Sequence, residues 1–275
     1  MEYFNPQPIL TPRVLATDLD GTLIPLPGSD ANREDLRQLA KARSEGKLPL
    51  VFATGRNLES VEEAITEFDL PQPDWIICDV GSRIVDCRGG TGEDFVAYSE
   101  HLLELSGGLS RSEVEKALGA IDGLKLQVPE HQTDFKVSYE CAAEQLDEIL
   151  KHVEVCVADL PYSCMGSLDP FLNCGLIDVM PGRVNKAYAL LWLATHADFK
   201  PDEVVYSGDS GNDLAALASG FHAIIVSNAS TGLVGKVAAL QSERGISHER
   251  RFEAKGKATS GVLEGCLHYG LISRD

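Results

Sequence analysis

Four short segments hold residues whose types and spacing can do chemistry. In VLATDLDGT an apolar run meets Asp18 and Asp20. Side chains alternate along a strand, so carboxylates two apart at its end emerge on one side. Anions that close repel unless a cation or a shared proton offsets them. A divalent cation would do so, and it would also draw a negative phosphoryl group toward the pair. Asp18 then has the place of a nucleophile. Asp20 has that of a general acid/base, which first protonates a leaving oxygen and next activates water, with Gly21 and Thr22 forming the turn. Taken alone, the segment reads equally as an acidic turn. A calcium loop also begins D-x-D, but it needs glycine sixth and glutamate twelfth, where this chain has Leu23 and Ser29.

The second segment is VVYSGDSGND. Asp209 at a strand end and Asp213 one turn into the following helix can face a common metal, with Asn212 placed to bond a phosphate oxygen. Gly208, Asp209 and Ser210 also spell the start of an esterase motif with Ser210 as nucleophile. That reading needs a histidine base held by an acid, and none of His222, His248 and His268 has an aspartate three residues before it. The other two segments are single features: Thr54 and Gly55 between an apolar strand and a helix start, where a hydroxyl and backbone N–H groups can hold an anion, and Lys186 early in VNKAYALLWLA, a point charge of the right sign. Alone, each is an ordinary turn threonine or surface lysine.

The elements that must position these groups follow from apolar patterning. Short branched runs at 14–17, 48–54, 75–78, 204–207 and 222–226 alternate with helical segments, the pattern of a parallel sheet covered by helices. Behind Asn57, a helix N-cap, Leu58, Val61, Ile65 and Phe68 recur at helical spacing. From Arg83 to Cys174 the pattern changes. Strand-like pieces at 124–128, 135–139 and 153–158 surround two amphipathic helices, one marked by Val114, Ala117, Leu118 and Ile121, the other by Leu146, Ile149 and Leu150. The expected fold is therefore α/β: a Rossmann-like doubly wound parallel-sheet core, residues 1–83 and 175–275, with an inserted α+β domain at 84–174. The cluster Gly89, Gly90 and Gly92 reads as a turn rather than a phosphate cradle, because no helix follows it at once.

Composition bounds the partners. The chain has 275 residues, is 44% hydrophobic and carries a formal net charge of −18. So acidic a chain repels nucleic acid and anionic membranes, and a phosphate site on it needs local help from lysine, metal or a helix N-terminus. No run approaches the ~18 apolar residues of a membrane helix, and the first residues lack the regions of a secretory signal, which reads as a cytoplasmic protein. The seven cysteines show no CxxC spacing and read as core thiols. The run 244–257, with Arg250, Arg251, Lys255 and Lys257, reads as a solvated surface segment or as a lure for anions.

DLDGT, VFATGR, a lysine at a helix start and GDSGND, in that order, resemble the signature of the haloacid dehalogenase superfamily of phosphatases. The resemblance implies Asp18 as nucleophile, Asp20 as acid/base, and Thr54, Gly55, Lys186 and Asn212 at the phosphate. It implies magnesium held by Asp18, the Asp20 main-chain carbonyl and Asp209, with Asp213 on the metal or directly behind its ligands. The insert resembles the larger of the family's cap types, which selects substrate. DVGSRI, FKVSY, DVMPGRVNK and GVLEGCLHYGLI are similar to the sucrose-phosphate phosphatase branch, which implies a sugar phosphate as the small-molecule partner and Lys136 and Ser138 against the sugar. The loop IPLPGSDANRED departs from that branch. A phosphotransferase or mutase would use the same Asp18, and a binding protein that kept only the fold would be expected to have lost Asp18, Asp20 or Lys186.

Overall fold

The computed structural model describes residues 3–6, 11–119, 121–169 and 173–273. The chain divides into two units, Met1–Glu93 with Lys186–Asp275, and Asp94–Asn185. Its outgoing half runs β1 (Val14–Thr17), α1 (Asp30–Ser44), β2 (Leu50–Ala53), α2 (Leu58–Phe68), β3 (Trp75–Cys78), β4 (Arg83–Asp86) and β5 (Glu93–Asp94). The inserted unit holds α3 (Val96–Leu105), α4 (Arg111–Leu118), β6 (Lys125–Leu126), β7 (Val137–Ala142), α5 (Leu146–Val157), β8 (Tyr162–Asp169) and β9 (Cys174–Pro181). The return adds α6 (Lys186–His196), β10 (Val204–Gly208), α7 (Leu214–Leu217), β11 (His222–Ile225), α8 (Leu233–Glu243), β12 (Arg251–Glu253) and α9 (Thr259–His268).

The first unit is built on one sheet in the order β12-β11-β10-β1-β2-β3-β4-β5. β12 through β3 pair in parallel, and β4 runs antiparallel to β3. Strands β1, β2, β3 and β10 are buried at every position, as a sheet covered on both faces requires. Leu15, Phe52, Ile76, Val205 and Ile224 pack in one cluster with Leu36 and Leu39 of α1, Val61 and Ile65 of α2, and Val262 and Cys266 of α9. The chain winds outward from β1 in one direction through β2 and β3, and from β10 in the other through β11 and β12. β1 and β10 are neighbours, so the strand order reverses between them, the point where open α/β sheets place ligands. Asp18 and Asp209 follow the C-terminal ends of those two strands.

The second unit has an antiparallel sheet in the order β6-β7-β9-β8. Val137, Tyr139, Cys141, Ile177 and Val179 alternate onto one face, against Val114 and Leu118 of α4 and Ile149, Val153 and Val157 of α5. Two expectations are corrected here. Residues 153–157 are the second half of α5, with Ala158 its C-cap, rather than a strand, since Val153 and Val157 continue the helical spacing of Leu146, Ile149 and Leu150 and their β-branching is overridden by packing. The boundaries move from 83/84 and 174/175 to 93/94 and 185/186. Arg83–Asp86 pairs with β3 of the first sheet, and Cys174–Pro181 is a central strand of the second. Gly90 sits in a turn at φ +89°, as its neighbourhood of glycines suggests. Among the described residues, no helix is long and apolar enough to cross a membrane.

Candidate active site

The strand β1 ends at Thr17, and its continuation bonds to β10 through Asp18 N–H to the Ser207 carbonyl, 2.9 Å. The chain then makes a wide turn, Leu19–Leu23, closed by bonds from Leu23 N–H to the Asp18 carbonyl and from Ile24 N–H to that of Leu19. Gly21 lies in this turn at φ +73°, and a Cβ there would collide with Asp209 Oδ2. Only glycine permits both the conformation and the approach. Asp18 is 4% exposed, whereas the Asp20 side chain is 44% exposed. The turn, rather than strand alternation, therefore sets where Asp20 lies.

Lys186, the first residue of α6, is fully buried and donates to Asp18 Oδ1 at 2.8 Å, Asp213 Oδ1 at 2.8 Å and Asn212 Oδ1 at 2.9 Å. Burial alone would lower its pKa, but Asp18 and Asp213 outweigh it and raise it. It is the cation that the acidic surroundings require. Asp213, also fully buried, accepts from Tyr206 Oη at 2.7 Å on Oδ1 and from the N–H groups of Asp209 and Ser210 at 3.1 Å on Oδ2. It thus fixes the turn after β10 and the lysine together. The Thr22 hydroxyl reaches Asp209 Oδ1 at 3.3 Å.

Carboxylate oxygens of Asp18, Asp209 and Asp213 lie within 4.8 Å of one another. Burial raises the Asp18 pKa well above the usual range, with Asp213 and Asp209 adding to it and Lys186 opposing. Asp209 is pushed up to about 7, by burial first and Asp213 next. With all three carboxylates ionised, one ammonium leaves the cluster anionic. Oxygen-only donors with such a deficit suit a hard divalent cation, so the residues present fit magnesium.

Thr54 and Gly55 close the turn from β2 to α2, whose N-cap Asn57 accepts from Ser60 N–H at 2.9 Å. Thr54 is buried and its hydroxyl accepts from Arg56 N–H. A Cβ on Gly55 would stand 3.9 Å from Asn212 Nδ2, so this turn adjoins the lysine's neighbour. Asp18, Asp20, Thr54, Gly55, Lys186, Asp209, Asn212 and Asp213 all belong to the first unit. Lys136 and Ser138 belong to the second: both are buried, Lys136 just precedes β7, and Ser138 Oγ donates to Asp178 Oδ1 at 2.6 Å.

Two residues that hold the candidate site's carboxylates went unread in the sequence. Arg56 grips Asp20 with two parallel bonds, Nε to Oδ2 and Nη2 to Oδ1, each 2.7 Å, and anchors itself on Ser60. Its place directly after Thr54 and Gly55 was the available signal. Tyr206 was hidden because a tyrosine in a buried strand looks like core. Ser210 Oγ donates to Asn212 and Asp213, and no histidine is among its described partners. The arginines of the basic run are tied down at the other end of the sheet: Arg250 bonds Gly220 and Asp202 before β11 and β10, Arg244 bonds the Ala218 carbonyl, and Arg251 bonds Gln241. Lys255 and Lys257 follow the C-terminal end of β12, the end at which Asp18 and Asp209 lie.

Comparison with known proteins places this geometry. A sequence model of sucrose-6F-phosphate phosphohydrolase matches residues 11–270. A mannosylfructose-phosphate phosphatase of Agrobacterium fabrum is 31% identical over 95% of this chain and 98% of its own length. A putative HAD-like hydrolase of Nitrosococcus oceani is 30% identical over 93% of this chain and 71% of its own. The solved sucrose-phosphatase of Synechocystis, in complex with sucrose and phosphate, superposes with a TM-score of 0.78 over 96% of this chain and all of that one, at 23% identity.

Proposed function

We propose, for a chain that belongs to the sucrose-6F-phosphate phosphohydrolase family and is a phosphatase of the haloacid dehalogenase type, magnesium-dependent hydrolysis of a sugar phosphate through an aspartyl-phosphate. The observation that carries the mechanism is the arrangement around Asp18: a buried carboxylate with Oδ1 held by Lys186, set between Asp209 and the Asp20 turn. Asp18 Oδ2 attacks phosphorus as the bond to the sugar oxygen breaks, and Asp20 gives that oxygen a proton. Asp20 then takes a proton from water, whose oxygen attacks the aspartyl-phosphate and releases inorganic phosphate, restoring Asp18. Lys186, Asn212 and the Thr54–Gly55 turn bind the phosphoryl oxygens, supplying charge the acidic chain otherwise lacks.

Magnesium would be held by Asp18 and Asp209, with Asp213 behind them, and would neutralise charge on the transferring group. Substrate choice falls to residues 94–185, because every group assigned to the chemistry lies outside them. The family supports a disaccharide phosphate; a mutase or phosphotransferase differs only in the acceptor. The test is phosphate release from a panel of phosphorylated metabolites including sucrose 6-phosphate and mannosylfructose phosphate, with and without chelator. Selective release from a disaccharide phosphate that stops in excess chelator is expected. Transfer to an added sugar in place of release, or undiminished release in chelator, overturns the reading.

A further inference from the structure

The two catalytic turns come from distant parts of the chain, and each is gripped by one short loop after β11. In that loop Asn228 Nδ2 donates to the Gly21 carbonyl at 2.7 Å, and Ser230 N–H donates to the Asp209 carbonyl at 2.8 Å. The other end of the Asn228 amide accepts from Ala258 N–H, also at 2.7 Å. Ala258 is fully buried and held at φ +45°, immediately before α9. Both ends of the amide are committed, so its orientation is fixed: the oxygen must face Ala258, and the NH2 must face Gly21.

We propose that Asn228 is a positioning residue for the phosphoryl-transfer centre, setting the Gly21 peptide and through it Asp20 and the spacing of Gly21 from Asp209. This rests on the phosphatase reading above. Gly21 has no side chain to hold its left-handed conformation, and it approaches Asp209 more closely than any other residue type could. Its carbonyl is therefore the handle by which this part of the turn is held from outside, beside the Leu23 and Ile24 bonds that close it and the Arg56 clamp on Asp20. If the Gly21 peptide rotates, the Asp20 carbonyl and side chain on one side and Thr22 on the other move together, and Thr22 Oγ1 leaves Asp209 Oδ1. No polar group of Asn228 needs to touch substrate for this.

Asn228→Ala removes both bonds. Asn228→Asp keeps an acceptor for Ala258 N–H but sets a carboxylate oxygen against the Gly21 carbonyl. Asn32→Ala is the comparator: it removes the bonds from Asn32 to the Lys257 carbonyl and Ser260 and the one that Asn32 Oδ1 accepts from Leu26 N–H, loosening the same segment before α9 and the loop after Ile24 without touching Gly21. The readouts are kcat and KM with a sugar phosphate, magnesium affinity by calorimetry without substrate, and thermal denaturation. Both Asn228 variants are expected to lose about 10- to 100-fold in kcat with KM within threefold, and to bind magnesium more weakly. Asn32→Ala is expected to lose Tm while keeping kcat within threefold. An Asn228→Asp enzyme with wild-type kcat and magnesium affinity overturns the proposal. So does an equal kcat loss in Asn32→Ala, which would reduce the effect to stability. Wild-type protein inactive on every phosphate would instead sink the phosphatase reading itself.

Discussion

Asp18 and Lys186 form a buried pair in which each residue answers a problem posed by the other. A lysine with no exposed surface is tolerable only against carboxylates, and a carboxylate beside Asp209 and Asp213 is tolerable only against a cation. Replacing Asp18 by asparagine removes the proposed nucleophile at nearly constant volume and leaves Lys186 its bond to Asp213. Because its surroundings on balance disfavour the Asp18 charge, the variant is expected to be inactive yet folded, with a metal-free Tm at or above wild type. Substantial phosphate release by a mass-verified variant would dismiss Asp18 as nucleophile. Arg56 calls for the opposite experiment. It touches no reacting atom but orients Asp20 through two bonds, so Arg56→Ala is expected to lower kcat about 10- to 100-fold with less change in KM. A change confined to KM would move Arg56 to substrate binding.

At the scale of elements, what the sequence made legible is what patterning controls. The buried strands around β1 and the capped helix α2 were readable because burial on both faces and an Asn57 cap leave direct marks. The four segments of the site were readable because their chemistry needs those residue types. Less legible were features fixed by distant contacts: β8, whose residues Tyr162–Asp169 are mixed in polarity; the Arg56 clamp; and the left-handed run Asp79, Val80 and Gly81, which bonds back to the Arg56 and Thr54 carbonyls. The helix α9 shows why its sequence contains glycine twice. A Cβ on Gly265 would overlap Ile224 of β11, and one on Gly261 would press Val226 and the Gly256 carbonyl. Gly265→Ala is thus expected to destabilise by about 1–3 kcal/mol despite its better helix propensity, as overpacking wins over backbone entropy. Urea unfolding checks this, and a stabilised variant would show that α9 can move away from the sheet at little cost.

For the whole molecule, the decisive quantity is the coupling of charge, metal and proton. The chain carries −18 and gathers three carboxylates at the point where its sheet reverses. The proposed division of labour between the units gives one test: Lys136→Ala, in the second unit, is expected to lower kcat/KM for a sugar phosphate about tenfold or more and to spare a small aryl phosphate. Equal losses on both would assign Lys136 to the fold. The first unit gives the other. Asp209, with its pKa near 7 in the metal-free protein, binds its proton more tightly folded than unfolded, where an aspartate titrates near 4. Between those values the folded state holds more protons, so its contribution to stability is fully present below about pH 4 and is lost as pH rises through 7. The raised Asp18 acts in the same direction. Metal-free protein is therefore expected to lose Tm from pH 5.5 to 8. Magnesium needs these groups ionised, so the Tm gain on adding it should grow over the same interval, small at pH 5.5 where protons compete and largest at pH 8. Thermal denaturation in chelator and in saturating magnesium across that range measures both trends. A magnesium gain that is constant with pH would mean that the ion binds elsewhere, since no site built on Asp18 and Asp209 can take a cation without first releasing their protons.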